Sequence, residues 1–262
     1  MAAVAHELCS DRGVLEPLQT ERSLQGQVAE LKSQLQENSD PPVTLIGFSW
    51  GAWLSLILAA QYPDFVNRLI LIGSGPFRES YVHKIMETRN SRLSEAERVE
   101  AMGILAALDN QNDAVDEEKE QEKKEALARM GELFRRTDAF DPIECRSNEF
   151  DLIADGSRYS EPGCGEPIQE CDPDIYRAVW REALLLRQKG DLLDLCKKIQ
   201  CQVVAIHGDY DPHPAEGVRE PLQAVLKNFR FILQKDCGHK PWIERMAKDK
   251  FYSILKEVLN QL

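Results

Sequence analysis

The stretch from Val43 to Ile72 constrains this chain more than any other. Residues 43–46 (VTLI) form a short run with a β-branched start and no sustained polar alternation, the pattern of a strand buried on both faces of a sheet. Gly47 ends the run, and after a tight turn residues 52–62 (AWLSLILAAQY) are rich in helix formers and stop at Pro63. Residues 68–72 (RLILI) then read as a second buried strand. Strand, helix and strand in that order form a unit that crosses over right-handed, which commits the chain to a parallel sheet covered by helices.

The turn inside this unit reads Gly47-Phe48-Ser49-Trp50-Gly51, a G-x-S-x-G pattern between a buried strand and a helix. Both glycines are expected to be sterically required, because a side chain at either flank would meet the neighbouring strand or helix. Such a turn lifts the Ser49 hydroxyl above the sheet. The backbone N–H of Trp50, at the start of the following helix, points where an oxyanion would develop.

A serine hydroxyl is a weak nucleophile at its free pKa and needs a histidine base oriented by a carboxylate. Of the five histidines, His6 and His83 lie in helical segments without a suitable acid, His207 ends a buried strand, and His213 follows Pro212 in the next loop. His239 sits in Cys237-Gly238-His239-Lys240-Pro241, between the last strand and the last helix. A loop at that edge can carry an imidazole over the serine. The acid is expected from His207-Gly208-Asp209-Tyr210-Asp211-Pro212, which offers Asp209 and Asp211. The chain order Ser, Asp, His suits a triad mounted on this kind of sheet. Asp209, Asp211 and His213 are also metal-ligand types, but acidic turns after strands are common and no further ligand cluster is near, so no metal and no cofactor are expected.

The remaining pattern is helical before and between these segments. Residues 23–37 are amphipathic with Ser23 placed to cap. Residues 76–200 are mostly helical in pattern, with a capping box at Ser94 and Glu97, a charged helix near 117–136 and another helix over 173–189; residues 155–173 read as loop and no strand is expected in the block. Strands resume at 203–206 and 229–233, with a helix at 215–226 between them and a final helix over 242–262. The expected architecture is an α/β fold, a mostly parallel sheet with helices on both faces. Its core comprises residues 1–75 and 201–262, and residues 76–200 form a helical cap over the strands' C-terminal edge. Among residues of the cap, Trp180 and Leu184 to Leu186 are candidates to line a pocket together with Phe48, although their helical spacing favours core packing between cap helices and sheet. Glu144 and Glu149 are candidates to meet a substrate amine.

Charge and cysteine usage narrow the partners. A formal charge of -12 disfavours nucleic acid and anionic membrane surfaces. Seven scattered cysteines without a C-x-x-C pair argue against a disulfide framework or zinc knuckle. With neither a signal-like N-terminus nor a run of about 18 apolar residues, a soluble cytoplasmic protein acting on a small molecule or peptide is expected. The sequence leaves the oligomeric state open.

GFSWG after a strand, HGDYDP after a late strand and CGHKPW before the last helix together resemble the α/β-hydrolase family over residues 12–75 and 200–262. The S-W-G elbow followed by a helical block looks most like the proline-iminopeptidase-like branch, which implies hydrolysis of a small ester or amide, including aminoacyl and peptide substrates. The resemblance implies Ser49 as nucleophile, His239 as base, Asp211 rather than Asp209 as acid, and the Trp50 N–H as oxyanion donor. Family members carry an early H-G or G-G-P-G loop that supplies a second donor, and none occurs in the 48 residues before Ser49. Residues 2–8 read instead as the tail of the helix after that loop and 13–15 as a short strand, so an N-terminally shortened chain is expected. The alternative is a weakly active or inactive relative that binds a ligand or partner under its cap.

Overall fold

The fold is seen in a computed structural model that describes residues 1–109, 117–143, 151–152, 158–159 and 173–261. Helices α1 (Ala2–Leu8) and α2 (Leu24–Asn38) come first. The Ser23 hydroxyl caps α2 by accepting the Gly26 N–H at 3.0 Å, which satisfies one of the orphan donors of the first turn. The central unit follows as β1 (Val43–Phe48), α3 (Trp50–Gln61) and β2 (Val66–Ile72).

Between β2 and the next core strand lie α4 (Val82–Arg92), α5 (Glu95–Asp109) and α6 (Glu117–Asp138), then the two-residue strands β3 (Asp151–Leu152) and β4 (Arg158–Tyr159). Helices α7 (Pro173–Lys189) and α8 (Asp191–Cys196) complete this block. The expected capping box starts α5: Glu97 accepts the Ser94 N–H at 2.9 Å, and the Ser94 hydroxyl accepts the Glu97 N–H at 3.3 Å. The chain closes with β5 (Gln202–Gly208), α9 (Ala215–Val225), β6 (Phe229–Gln234) and α10 (Lys248–Asn260).

Four strands form one wholly parallel sheet in the order β1-β2-β5-β6. Side chains alternate across it. Leu69, Leu71, Val203 and Ala205 face a core shared with α2, α3, α8 and α9, whereas Ile70, Ile72, Val204 and Ile206 face a second core shared with α1 and α10. Both faces are covered at the central strands, so β2 and β5 contain unbroken buried apolar runs, whereas the edge strand β6 carries Arg230 and an exposed Leu233. Each fully buried Leu or Ile in these layers contributes about 2 kcal/mol of transfer free energy.

Three local expectations are corrected. Residues 13–15 form no strand, and Val14 and Leu15 are exposed rather than packed into the sheet. The block between β2 and β5 is not strand-free, because β3 and β4 pair antiparallel. The last helix starts at Lys248 rather than near 242, since Pro241–Ile243 form a single tight turn that buries Trp242 against Phe48 and Phe251. The loop expected over 155–173 falls almost entirely outside the described residues.

Candidate active site

Parallel strands place all their C-terminal ends on one edge, and the loops leaving that edge converge on it. Ser49 follows β1, Gly73 follows β2, Asp211 follows β5 and His239 follows β6. Gly73, Asp211 and His239, distant in sequence, thus come together, and Ser49 stands at the same edge.

Ser49 adopts φ 52° and ψ -115°, a backbone conformation that costs a non-glycine residue on the order of 1–3 kcal/mol. Its N–H donates to the Ile72 carbonyl at 3.0 Å, and its carbonyl accepts the Ala52 N–H at 3.1 Å, which pins the turn between β2 and α3. A side chain at Gly47 would drive its Cβ into the backbone of Gly51 and Ala52. Gly51 itself faces open space, so only the first glycine of the motif is required by close approach. That corrects the expectation for both. Trp50 opens α3, where its N–H belongs to the unpaired first turn, while its indole N–H donates to Gln27 Oε1 at 2.9 Å.

His239 is held by its main chain and by one ring nitrogen. Its backbone N–H donates to the Asp138 carbonyl at 2.7 Å, and Nδ1 lies 2.7 Å from Asp211 Oδ2. An ionised carboxylate only accepts, so Nδ1 carries the proton, and Nε2 of the neutral ring is left able to take one. The imidazole packs against Phe48, the residue before the serine, with ring centroids 4.8 Å apart. A Cβ on Gly73 would stand 3.0 Å from His239 Nδ1 and 2.8 Å from its carbonyl oxygen, and Gly73 has φ +51°. Glycine at this position is what lets the imidazole lie over the end of β2.

Asp211 is wholly buried and surrounded by imidazoles. Oδ1 accepts the His213 backbone N–H at 2.9 Å and His213 Nδ1–H at 2.7 Å, Oδ2 accepts His239 Nδ1–H, and His207 Nε2 lies 3.7 Å from Oδ2. Burial alone would raise the Asp211 carboxyl, but the charges of His239, His213 and His207 outweigh it and hold the group well below the usual carboxylate range. Burial pushes His213 below its ordinary value against the opposing pull of Asp211, with the charges of His239 and of Arg89 on α4 adding to the depression. Asp209, the other candidate acid, accepts the Cys237 N–H at 3.2 Å and so braces the histidine loop instead.

Ligand-type atoms of Asp211, His213 and His239 lie within 4.8 Å of one another. They do not make a ready metal cage. Both carboxylate oxygens and both Nδ1 atoms are already joined in hydrogen bonds, and the Nδ1 atoms carry protons that a cation would have to displace.

Two supports of the site escaped the sequence reading. Arg89 grips Asp138 through two charge-assisted bonds of 2.9 and 2.6 Å, fixing the residue whose carbonyl holds the His239 main chain. Fully buried Glu244 accepts the N–H groups of Gly238 at 2.9 Å, Phe140 at 2.9 Å and Asp141 at 2.8 Å. The segment after α6 is thereby stitched to the histidine loop. Nothing in the local pattern of either stretch announced this, because the partners are about a hundred residues apart.

The residues expected to line a pocket are placed as follows. Phe48 packs between His239 and Trp242, with both centroid separations 4.8 Å. Trp180 stacks on the buried Trp53 at 5.9 Å and 11°. Leu186 packs against the core and Leu185 is exposed, while Glu144 and Glu149 lie outside the described residues. A surface hollow of about 400 Å³ lined by Leu24, Ile57, Leu186 and Leu195 includes none of the site residues. Among the described residues no helix is long and apolar enough to cross a membrane.

Comparison with known proteins agrees with this architecture. The crystal structure of VinJ covers 91% of this chain, which spans 72% of it, with a TM-score of 0.56 and 16% identity. A proline iminopeptidase from Mycobacterium smegmatis matches at a TM-score of 0.51 and 15% identity, over 92% of this chain and 72% of that one. A structure from work on carboxylesterases of the thaumarchaeon Nitrososphaera gargenis matches at 0.50 and 20%, over 90% and 71%. At such identities the likeness is one of fold. No curated protein matches the sequence. The model of the alpha/beta hydrolase fold family matches residues 20–245, and the chain belongs to that family.

Proposed function

We propose that the protein is a serine hydrolase that cleaves a small ester or amide through an acyl-enzyme. The observation that carries this reading is the 2.7 Å bond between His239 Nδ1 and buried Asp211 Oδ2, at the sheet edge where Ser49 sits in its positive-φ turn. The names of two structural neighbours, a proline iminopeptidase and a carboxylesterase, belong to the same reaction class.

In this reading His239 Nε2 takes the Ser49 proton as Oγ bonds to the substrate carbonyl carbon, and the carbonyl oxygen becomes an oxyanion facing the Trp50 N–H. The imidazolium is stabilised by Asp211 and gives its proton to the leaving alcohol or amine as the carbonyl–heteroatom bond breaks. Water then adds to the acyl-enzyme with His239 again as base, which releases the acid and restores Ser49. No metal or cofactor takes part in this scheme. Helices α4 to α7, within residues 76–200, serve as a cap above the site. Phe48 shapes the floor beneath the imidazole, and Trp180 contributes an aromatic wall through its stack on Trp53.

Turnover tests the proposal. Short-chain nitrophenyl esters and aminoacyl nitroanilides should be hydrolysed by the protein and not by Ser49→Ala. Activity should fall on the acid side, where protonated His239 can no longer accept the serine proton. Absence of turnover across both series, together with a ligand that raises the melting temperature, would favour a non-catalytic binding protein.

A further inference from the structure

The residue left over by this scheme is His213. It makes two hydrogen bonds to Asp211, both to Oδ1, from its backbone N–H at 2.9 Å and from Nδ1 at 2.7 Å. Its ring stacks on His239 with centroids 4.6 Å apart and planes 29° apart, and its carbonyl accepts from His207 Nε2 at 2.7 Å. Two imidazoles therefore share one buried carboxylate, His213 on one oxygen and His239 on the other.

We propose that His213 is a positioning residue for the triad acid: its paired donors clamp Oδ1 and so turn Oδ2 onto His239. The inference rests on the hydrolase reading of Ser49, Asp211 and His239. A carboxylate held on one oxygen by a single donor is free to rotate about Cβ–Cγ, and each rotation would carry the His239 ring off line. Two donors on Oδ1 from one short loop remove that freedom. They also draw negative charge toward Oδ1, which moderates the pull that Oδ2 exerts on a protonated His239. The charged and titratable groups around His213 are Asp211 and His207 from β5 and its loop, His239 from the loop after β6, and Arg89 from α4. Burial lowers the pKa of His213, which favours the neutral ring, and its Nδ1–H acts as a donor to Oδ1.

Two substitutions separate donation from packing. His213→Phe keeps a ring to stack on His239 but removes the Nδ1 donor, whereas His213→Asn loses the ring and keeps a side-chain N–H donor. If His213 positions the acid, H213F should lower kcat about ten- to a hundredfold, the cost of a misaligned catalytic group, with KM within about twofold. The acid limb of its kcat/KM profile should shift to higher pH. H213N should recover most of kcat and return the acid limb to its original place.

Proton NMR of the downfield His239 Nδ1–H resonance, recorded in a Ser49→Ala background, reads the clamp without any turnover. It should shift or broaden when H213F is added and persist with H213N. Full activity and an unchanged resonance in H213F, or loss in H213N matching that in H213F, would overturn the proposal. If the wild type turns over nothing, the resonance still decides the clamp while the hydrolase reading fails on its own account. Should H213F not fold by circular dichroism, His213→Ala replaces it with the same expectations.

Discussion

Glu244 and Gly238 are joined by a 2.9 Å bond from the glycine N–H to the buried carboxylate, one residue before the candidate base. The same carboxylate takes the N–H groups of Phe140 and Asp141, and Ile143 N–H donates to the Ile243 carbonyl at 2.8 Å. One acidic side chain thus fixes the histidine loop to the segment following α6.

Truncating Glu244 to Ala should destabilise the protein by about 3 kcal/mol or more, because three backbone donors lose a charged acceptor inside the protein. Glu244→Gln should be intermediate, since its amide presents an N–H to at least one of those donors. Urea unfolding measures both. A Glu244→Ala midpoint equal to that of the wild type would show that the carboxylate carries no structural load.

The two glycines of the elbow should respond oppositely. Gly47→Ala places a Cβ against the backbone of Gly51 and Ala52, so poor folding or a loss of several kcal/mol is expected. Gly51→Ala meets nothing within 4 Å and lies in the first turn of α3, where Ala is favoured over Gly by up to about 1 kcal/mol. Its melting temperature should be unchanged or raised. Equal destabilisation by the two would contradict the geometry of the turn.

Stability should fall with acid in two stages. Burial lowers His213 from its ordinary 6.5, so below about pH 6.5 the unfolded chain binds a proton that the folded chain refuses, and folding weakens as pH drops. Asp211 is held well below its ordinary 3.8, so its contribution is complete above that value and disappears as pH falls through the lower folded one. The melting temperature should therefore begin to fall near pH 6.5 and fall more steeply below about pH 4. His213→Asn should flatten the first stage and, because His213 also helps hold Asp211 low, weaken the second. A melting temperature that rises between pH 7 and pH 5 would have the wrong sign.

How far the sequence could be read followed the range of the interactions. The β1, α3 and β2 segments were legible because burial on both faces leaves an unbroken apolar run, and because Pro63 and the Gly47 turn mark the boundaries locally. Ser94 and Glu97 were legible because a capping box is complete within four residues. Choosing between Asp209 and Asp211 was not open to pattern alone. Both leave the end of β5, and only the fold shows one bracing Cys237 and the other meeting His239. His213 is a ligand type in the sequence, but its bonds to Asp211 are set by the chain path through Pro212. Glu244 and the Arg89–Asp138 pair gave no local signal, since each acts across a distance in sequence that only tertiary structure closes. The start of α10 was misplaced for the same reason: Trp242 and Glu244 suit a helix by composition, but both turn inward.

Covalent labelling reports whether Ser49 is a nucleophile activated by His239 and Asp211. A fluorophosphonate probe followed by peptide mass spectrometry should place one adduct on Ser49, slowed by orders of magnitude in His239→Ala and absent in Ser49→Ala. A chain that takes up no probe, or takes it up equally well after Ser49→Ala, would show that Ser49 is not the nucleophile.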